Sequence, residues 1–127
     1  MTTEKIIFTD HDVLPADVAL NAFFQIETAC ERKDPDFAML YDDFIANALK
    51  YSQFRSKWAT YSNEQKAEFD RSRTSAHNVF IQDCDIIARR MKHIGMDTSW
   101  RAEVGDDRKR IGDFACWITA IVAIRAR

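Results

Sequence analysis

Four polar side chains stand where a folded chain seldom tolerates them: Arg73, His77, Asp83 and Asp113. Projected at helical spacing, Arg73 and Asp83 fall inside the apolar stripe of their segment and His77 falls at its edge. A charge on a core-facing line is either paired or kept for chemistry. As one group, the four would wall a polar pocket in which His77 accepts a proton and Arg73 holds an anion, the layout of a small hydrolase or ligand-binding protein. The competing reading is structural: Asp113 pairs with Arg90, and Asp83 bonds the Trp117 indole or Thr119, both fixing helix register. The structural reading is preferred, so Arg73, His77, Asp83 and Asp113 stay candidates and no catalytic residue is assigned.

Rings at Tyr51, Phe54, Trp58 and Tyr61 recur every three or four residues and cover one side of a helix, area that must be buried against something. They are the candidate partner-binding or dimer face, with core packing as the alternative. Lys66, Arg71, Arg89 and Lys92 fall on several faces, and Arg108, Lys109 and Arg110 stand at a helix start, where positive charge opposes the dipole. They read as a solvated surface offset by acidic neighbours, with a short phosphate-contacting patch as the alternative. No metal or cofactor is expected. His11, His77 and His93 lie in different segments, neither Cys-x-x-Cys nor His-x-x-x-His occurs, and the pairs Glu27/Glu31 and Glu64/Glu68 have the spacing of any exposed helix face.

The elements that must position these residues are helices. The chain has 127 residues, within the range of one domain, and only three Gly and two Pro, too few reversals for an all-β fold. The expected fold is all-α, a bundle of about four helices with a long third helix and a central apolar C-terminal helix. An N-terminal arm spans 1–13, and the helices run over about 15–32, 35–60, 63–94 and 107–125. Pro15 and Asp34-Pro35-Asp36 are start signals, Ser62-Asn63-Glu64-Gln65 is a capping box, Gly95 is a stop, and Asp106 and Asp107 can cap the last helix. Continuity of the second helix through Ser52-Gln53 is open.

The third helix measures ~46 Å at 1.5 Å per residue, against a diameter of roughly 36 Å for a compact chain of this size. It therefore protrudes, kinks near Ser72-Arg73-Thr74-Ser75, or packs on another subunit. Residues 96–105 read as a loop closing an antiparallel hairpin between the third helix and the last, which sets Asp113 near Arg89 and Arg90. Gly112, Cys116, Thr119 and Ala123 form a small-residue line along the last helix that admits a close neighbour.

Formal net charge is −2 with the signs interspersed, so no strong nucleic-acid signal is present. No run of ~18 apolar residues spans a membrane, residues 1–9 lack the apolar region of a secretory signal, and Cys30, Cys84 and Cys116 read as free buried thiols, so a cytoplasmic protein is expected.

Arg73-Thr74 with His77-Asn78, then Asp107-Arg108 and Ile111-Gly112-Asp113-Phe114-Ala115, resembles a family of small uncharacterised proteins of Gram-positive bacteria and their mobile elements, over about residues 64–127. The resemblance implies a helical fold and a bacterial cytoplasm but no activity, and it draws attention to Arg73, His77 and Asp113. The functional expectation is a non-enzymatic interaction or regulatory module with a protein partner or a second copy of itself. The alternative is a small hydrolase or ligand-binding protein using Arg73, His77 and Asp113.

Overall fold

The computed structural model describes residues 14–126, and the expected N-terminal arm lies outside them. Five helices make an all-α bundle with no strand among the described residues: α1 Ala16–Cys30, α2 Pro35–Trp58, α3 Asn63–His93, α4 Ser99–Val104 and α5 Arg108–Arg125.

Local chemistry sets most of the boundaries. Lys33 takes a left-handed turn (φ 58°) after α1, and Asp34 accepts from the Phe37 N–H to cap α2, with Pro35 in its first turn. Helix α2 continues through Ser52, whose hydroxyl bonds back to the Leu49 carbonyl and lies 2.7 Å from the Thr119 hydroxyl. Ser62 and Gln65 form the expected reciprocal capping box at the start of α3. Gly95 ends α3 with φ 85°, its N–H bonding the Lys92 carbonyl while that of Met96 reaches Met91, the Schellman pattern that favours glycine. Asp107 caps α5 by accepting from Lys109 and Arg110.

The topology departs from the expected hairpin. The main packing of α3 is on α2, and the pair is antiparallel: Arg73 meets Trp58, His77 meets Tyr51, Asp83 meets Asn47 and Arg90 meets Asp34. Helix α5 also runs antiparallel to α2, with Asp113 against Arg55 and Thr119 against Ser52. It is therefore parallel to α3, with Arg108 beside Thr74 and Phe114 beside Phe80. Connection length permits this arrangement. Four residues join α2 to α3 and force a reversal, whereas residues 94–107 can extend ~46 Å and carry the chain back along the ~28 Å of α3 between Thr74 and His93. The segment read as a loop contains α4, held beside α3 by an ion pair between Arg101 and Asp85.

Phe44, Phe80 and Phe114, one each from α2, α3 and α5, meet with ring centroids 5.5–6.2 Å apart and form the centre of the core. Trp100 of α4 is fully buried and packs against Phe114, and α1 closes that side through α4 and α5. Of the three thiols, Cys84 and Cys116 are buried, but Cys30 ends α1 and is exposed, against expectation.

Helix α3 is unbroken through Ser72–Ser75 and does not end there. No residue from Asn63 to Ser75 is buried, whereas Ala76, Phe80, Cys84, Ile87 and Met91 are. The α2–α3 hairpin thus overhangs the start of α5, and the excess length of α3 is taken up as protrusion. No described helix is long and apolar enough to cross a membrane.

Candidate functional site

Asp113 is only 4% exposed and is fully engaged. One carboxylate oxygen accepts from the Leu14 backbone N–H at 2.9 Å and the other from the Arg55 guanidinium. Arg55 also donates to the Lys109 carbonyl and lies across Gly112, where a Cβ would overlap its guanidinium. The small-residue line of α5 thus lets Arg55 of α2 approach. The expected Asp113–Arg90 pair does not form, because parallel packing of α3 and α5 carries Arg90 to the other end of the bundle. There it grips Asp34 through Nε and Nη2.

Asp83 likewise misses Trp117 and Thr119. It accepts from the Asn47 side chain at 2.6 Å, and Thr119 turns to Ser52. Partial burial pushes the Asp83 carboxyl up, the Asn47 bond opposes this, and Asp43 adds to the rise. His77 stands edge-on to Tyr51, its Nδ1 is 3.1 Å from the Asn78 side chain, and its Nε2 is buried without a hydrogen-bond partner. The four candidates are therefore dispersed among separate contacts and do not share one pocket wall.

Of these four, Arg73 alone lines a cleft of note. Its guanidinium lies 4.2 Å from the centroid of Trp58, is tethered to Asp70 at 3.0 Å, and keeps a buried Nε with no hydrogen-bond partner. The cleft, about 710 Å³, lies under the overhang, between α2, α3 and the start of α5. Tyr51, Arg55, Trp58 and Ala59 come from α2, Lys66 and Arg73 from α3, and Asp107, Arg108 and Lys109 from the α5 start. Five cations face one carboxylate, and that carboxylate is occupied as a helix cap. Arg55 is compensated by Asp113 and Arg73 by Asp70, so Lys66, Arg108 and Lys109 stand against Asp107, a net of two positive charges. No family model, curated protein or solved structure matches the chain. The reading of the cleft rests on its own chemistry.

The aromatic run is divided by the same packing. Tyr51 is buried against Phe80 and His77, Trp58 carries Arg73 and touches Tyr61, and Tyr61 packs on Phe69. Phe54 and Tyr61 line a separate, smaller groove with Lys50, Gln53 and Lys57. Of the stripe expected as a partner face, Tyr51 lies in the core and Phe54 packs partly against it, whereas Trp58 and Tyr61 stay half-buried on the overhang.

Among the described residues, no three His, Cys, Asp or Glu side chains converge as a metal site would require. Lys66, Arg108 and Lys109 are cleft residues that sequence reasoning set aside as solvated surface. The available signal was the run Arg108-Lys109-Arg110 at a helix start, where cations are disfavoured unless something else holds them there. Arg110 of this run turns away from the cleft to the Val104 and Glu103 carbonyls.

Proposed function

We propose that the protein is a non-enzymatic regulatory module that binds an anionic ligand in the cleft under the α2–α3 overhang. The observation that carries this reading is the gathering of Lys66, Arg73, Arg108 and Lys109 from two helices around one concavity whose only carboxylate is a helix cap. Gathering like charges costs Coulomb energy, and a bound anion repays it. The hydrolase reading finds less support, since both oxygens of Asp113 are occupied and His77 is not among the residues lining the cleft. A protein partner on the aromatic stripe finds less as well, because Tyr51 is in the core and Trp58 carries Arg73. This reading keeps the bacterial, cytoplasmic setting that the resemblance implies.

Calorimetric titration with inorganic tripolyphosphate and with a hexaglutamate peptide tests the proposal. At least one should bind saturably, and the double variant Lys66→Ala/Lys109→Ala should bind it at least ~10-fold more weakly, as loss of two charge contacts implies. His77→Gln, which alters a residue outside the cleft, should bind as the parent does. Failure of both probes to bind, or equal binding by the double variant, overturns the reading.

A further inference from the structure

We infer that the ligand of this cleft is an amphipathic anion: one doubly charged head of the phosphate-monoester kind, carried on an uncharged aromatic body. The inference rests on the anion-binding reading above and adds the ligand class. Charge sets the head. Arg55 and Arg73 are compensated by Asp113 and Asp70, which leaves Lys66, Arg108 and Lys109 against Asp107, a net of two positive charges. A phosphate monoester carries ~1.5–2 negative charges at neutral pH and matches that net. A single carboxylate leaves a cation uncompensated, and a longer polyanion brings charge that nothing else in the cleft offsets.

Position sets the body. The uncompensated cations belong to α3 and to the first turn of α5. The remaining wall is α2, which contributes Tyr51, Trp58 and Ala59 besides the paired Arg55. Charge therefore lies on one side of the cleft and rings on the other. The half-buried Trp58 is held by the Arg73 guanidinium, 4.2 Å from its centroid, and by Tyr61 at a centroid distance of 5.8 Å. Because Asp70 neutralises Arg73, this stack gives the cleft a fixed planar surface in place of a free charge. Apolar carbon set against it leaves water at little ordering cost, since the wall is already in place.

Size and hydrogen bonding narrow the body further. The cleft encloses about 710 Å³, the range of a small-molecule site, and a phosphoryl group alone fills a small part of it. A sugar or other polyol body brings several hydroxyls that need partners once they leave water. The uncharged wall carries two polar side-chain atoms, the Tyr51 hydroxyl and the Trp58 indole N–H, and Tyr51 is only 3% exposed. An aromatic body makes no such demand.

The test compares four probes by calorimetry at one pH and ionic strength: 1-naphthyl phosphate, orthophosphate, ribose 5-phosphate and 1-naphthoate. The first is expected to bind at least tenfold more tightly than each of the others. Trp58→Leu, which removes the ring and no charge, should weaken 1-naphthyl phosphate at least fivefold while changing orthophosphate less than twofold. Circular dichroism and the melting temperature establish that the variant is folded, and the four-probe comparison on the parent protein does not depend on it. A smaller margin over orthophosphate or ribose 5-phosphate overturns the aromatic body. A smaller margin over 1-naphthoate overturns the doubly charged head. Equal weakening of both phosphates by Trp58→Leu also overturns the inference, by reducing Trp58 to a support for the cations. Absence of binding by all four removes the inference, and the cleft reading falls with it only if tripolyphosphate and hexaglutamate fail as well.

Discussion

Gly112 is defined by what lies on it. The three atoms nearest to where a Cβ would stand all belong to Arg55, the side chain that pairs with the buried Asp113. Gly112→Ala should therefore displace Arg55 and lower stability by about 1–3 kcal/mol, the range for overpacking a filled site. Arg55→Ala should cost about 2 kcal/mol, less than the ~3–5 of a fully buried pair, because Arg55 remains 33% exposed. The combination decides the matter. With Arg55 gone, alanine at position 112 meets open space in a helix interior and should stabilise by about 0.5–1 kcal/mol over glycine. Urea unfolding of the four-member cycle measures this reversal of sign, and simple additivity would refute the contact. At the far end of the bundle, the Arg90 guanidinium beside Asp34 holds its carboxyl below the usual carboxylate range, with the Phe37 and Asp36 N–H groups acting in the same direction. A folded pKa below the unfolded one gives stability that is present above the unfolded value, ~3.9, and is lost as pH falls through the folded value. Asp34→Asn keeps a capping side chain, so the variant should be less stable than the parent at pH 7, and the gap should close on acidification below ~3.9. A pH series of thermal melts gives both limbs.

At the scale of the element, end signals were legible in the sequence and partners were not. Asp34-Pro35, the Ser62/Gln65 box, Gly95 and Asp107 all act where local pattern puts them, because capping involves groups within four residues of one another. Ser62→Ala removes one half of the box and should cost about 1 kcal/mol by urea unfolding. The Ser72–Ser75 run, poor in strong helix formers apart from Arg73, made a kink one of the three expected outcomes, and tertiary context overrides it: Arg73 is fixed to Trp58, Arg108 donates to Thr74, and the helix stays unbroken. The overhang has its own expected behaviour. Amides in residues 66–73, where no side chain is buried, should exchange with solvent well before those of 80–91, which carry Phe80, Cys84, Ile87 and Met91 into the core. Bound tripolyphosphate should slow the first group more than the second, since Lys66 and Arg73 lie in it. Equal protection of the two stretches in the free protein would show that the overhang is packed against something further.

At the scale of the whole molecule, one sign decided the candidate site. Helical periodicity identifies which face of α3 and α5 is apolar but says nothing of whether the two run parallel or antiparallel, and the 94–107 connection is long enough for either. The antiparallel choice sets Asp113 beside Arg90; the parallel one sets it beside Arg55 and brings Arg108 and Lys109 under Lys66 and Arg73. The basic cleft is thus a product of topology, invisible in a net charge of −2. Because its field is local, its binding should respond strongly to salt while the fold does not. The Debye length falls from ~10 Å at 0.1 M to ~3 Å at 1 M, shorter than the span of a cleft this size. At low salt and a hundredfold excess over Kd, tripolyphosphate should stabilise the fold by ~2.7 kcal/mol, a rise in Tm of roughly 8–13 °C for a chain of this length. Near 0.5 M sodium chloride the rise should shrink below about 1 °C while the ligand-free Tm moves little, since the apolar core and the shielded Asp113–Arg55 pair are weakly screened. Lys66→Ala/Lys109→Ala, with affinity lowered tenfold, should show about half the parent's rise at low salt. A ligand-induced rise that persists in high salt would instead mark binding by packing, and would move the site from the cationic cleft to an apolar surface elsewhere on the bundle.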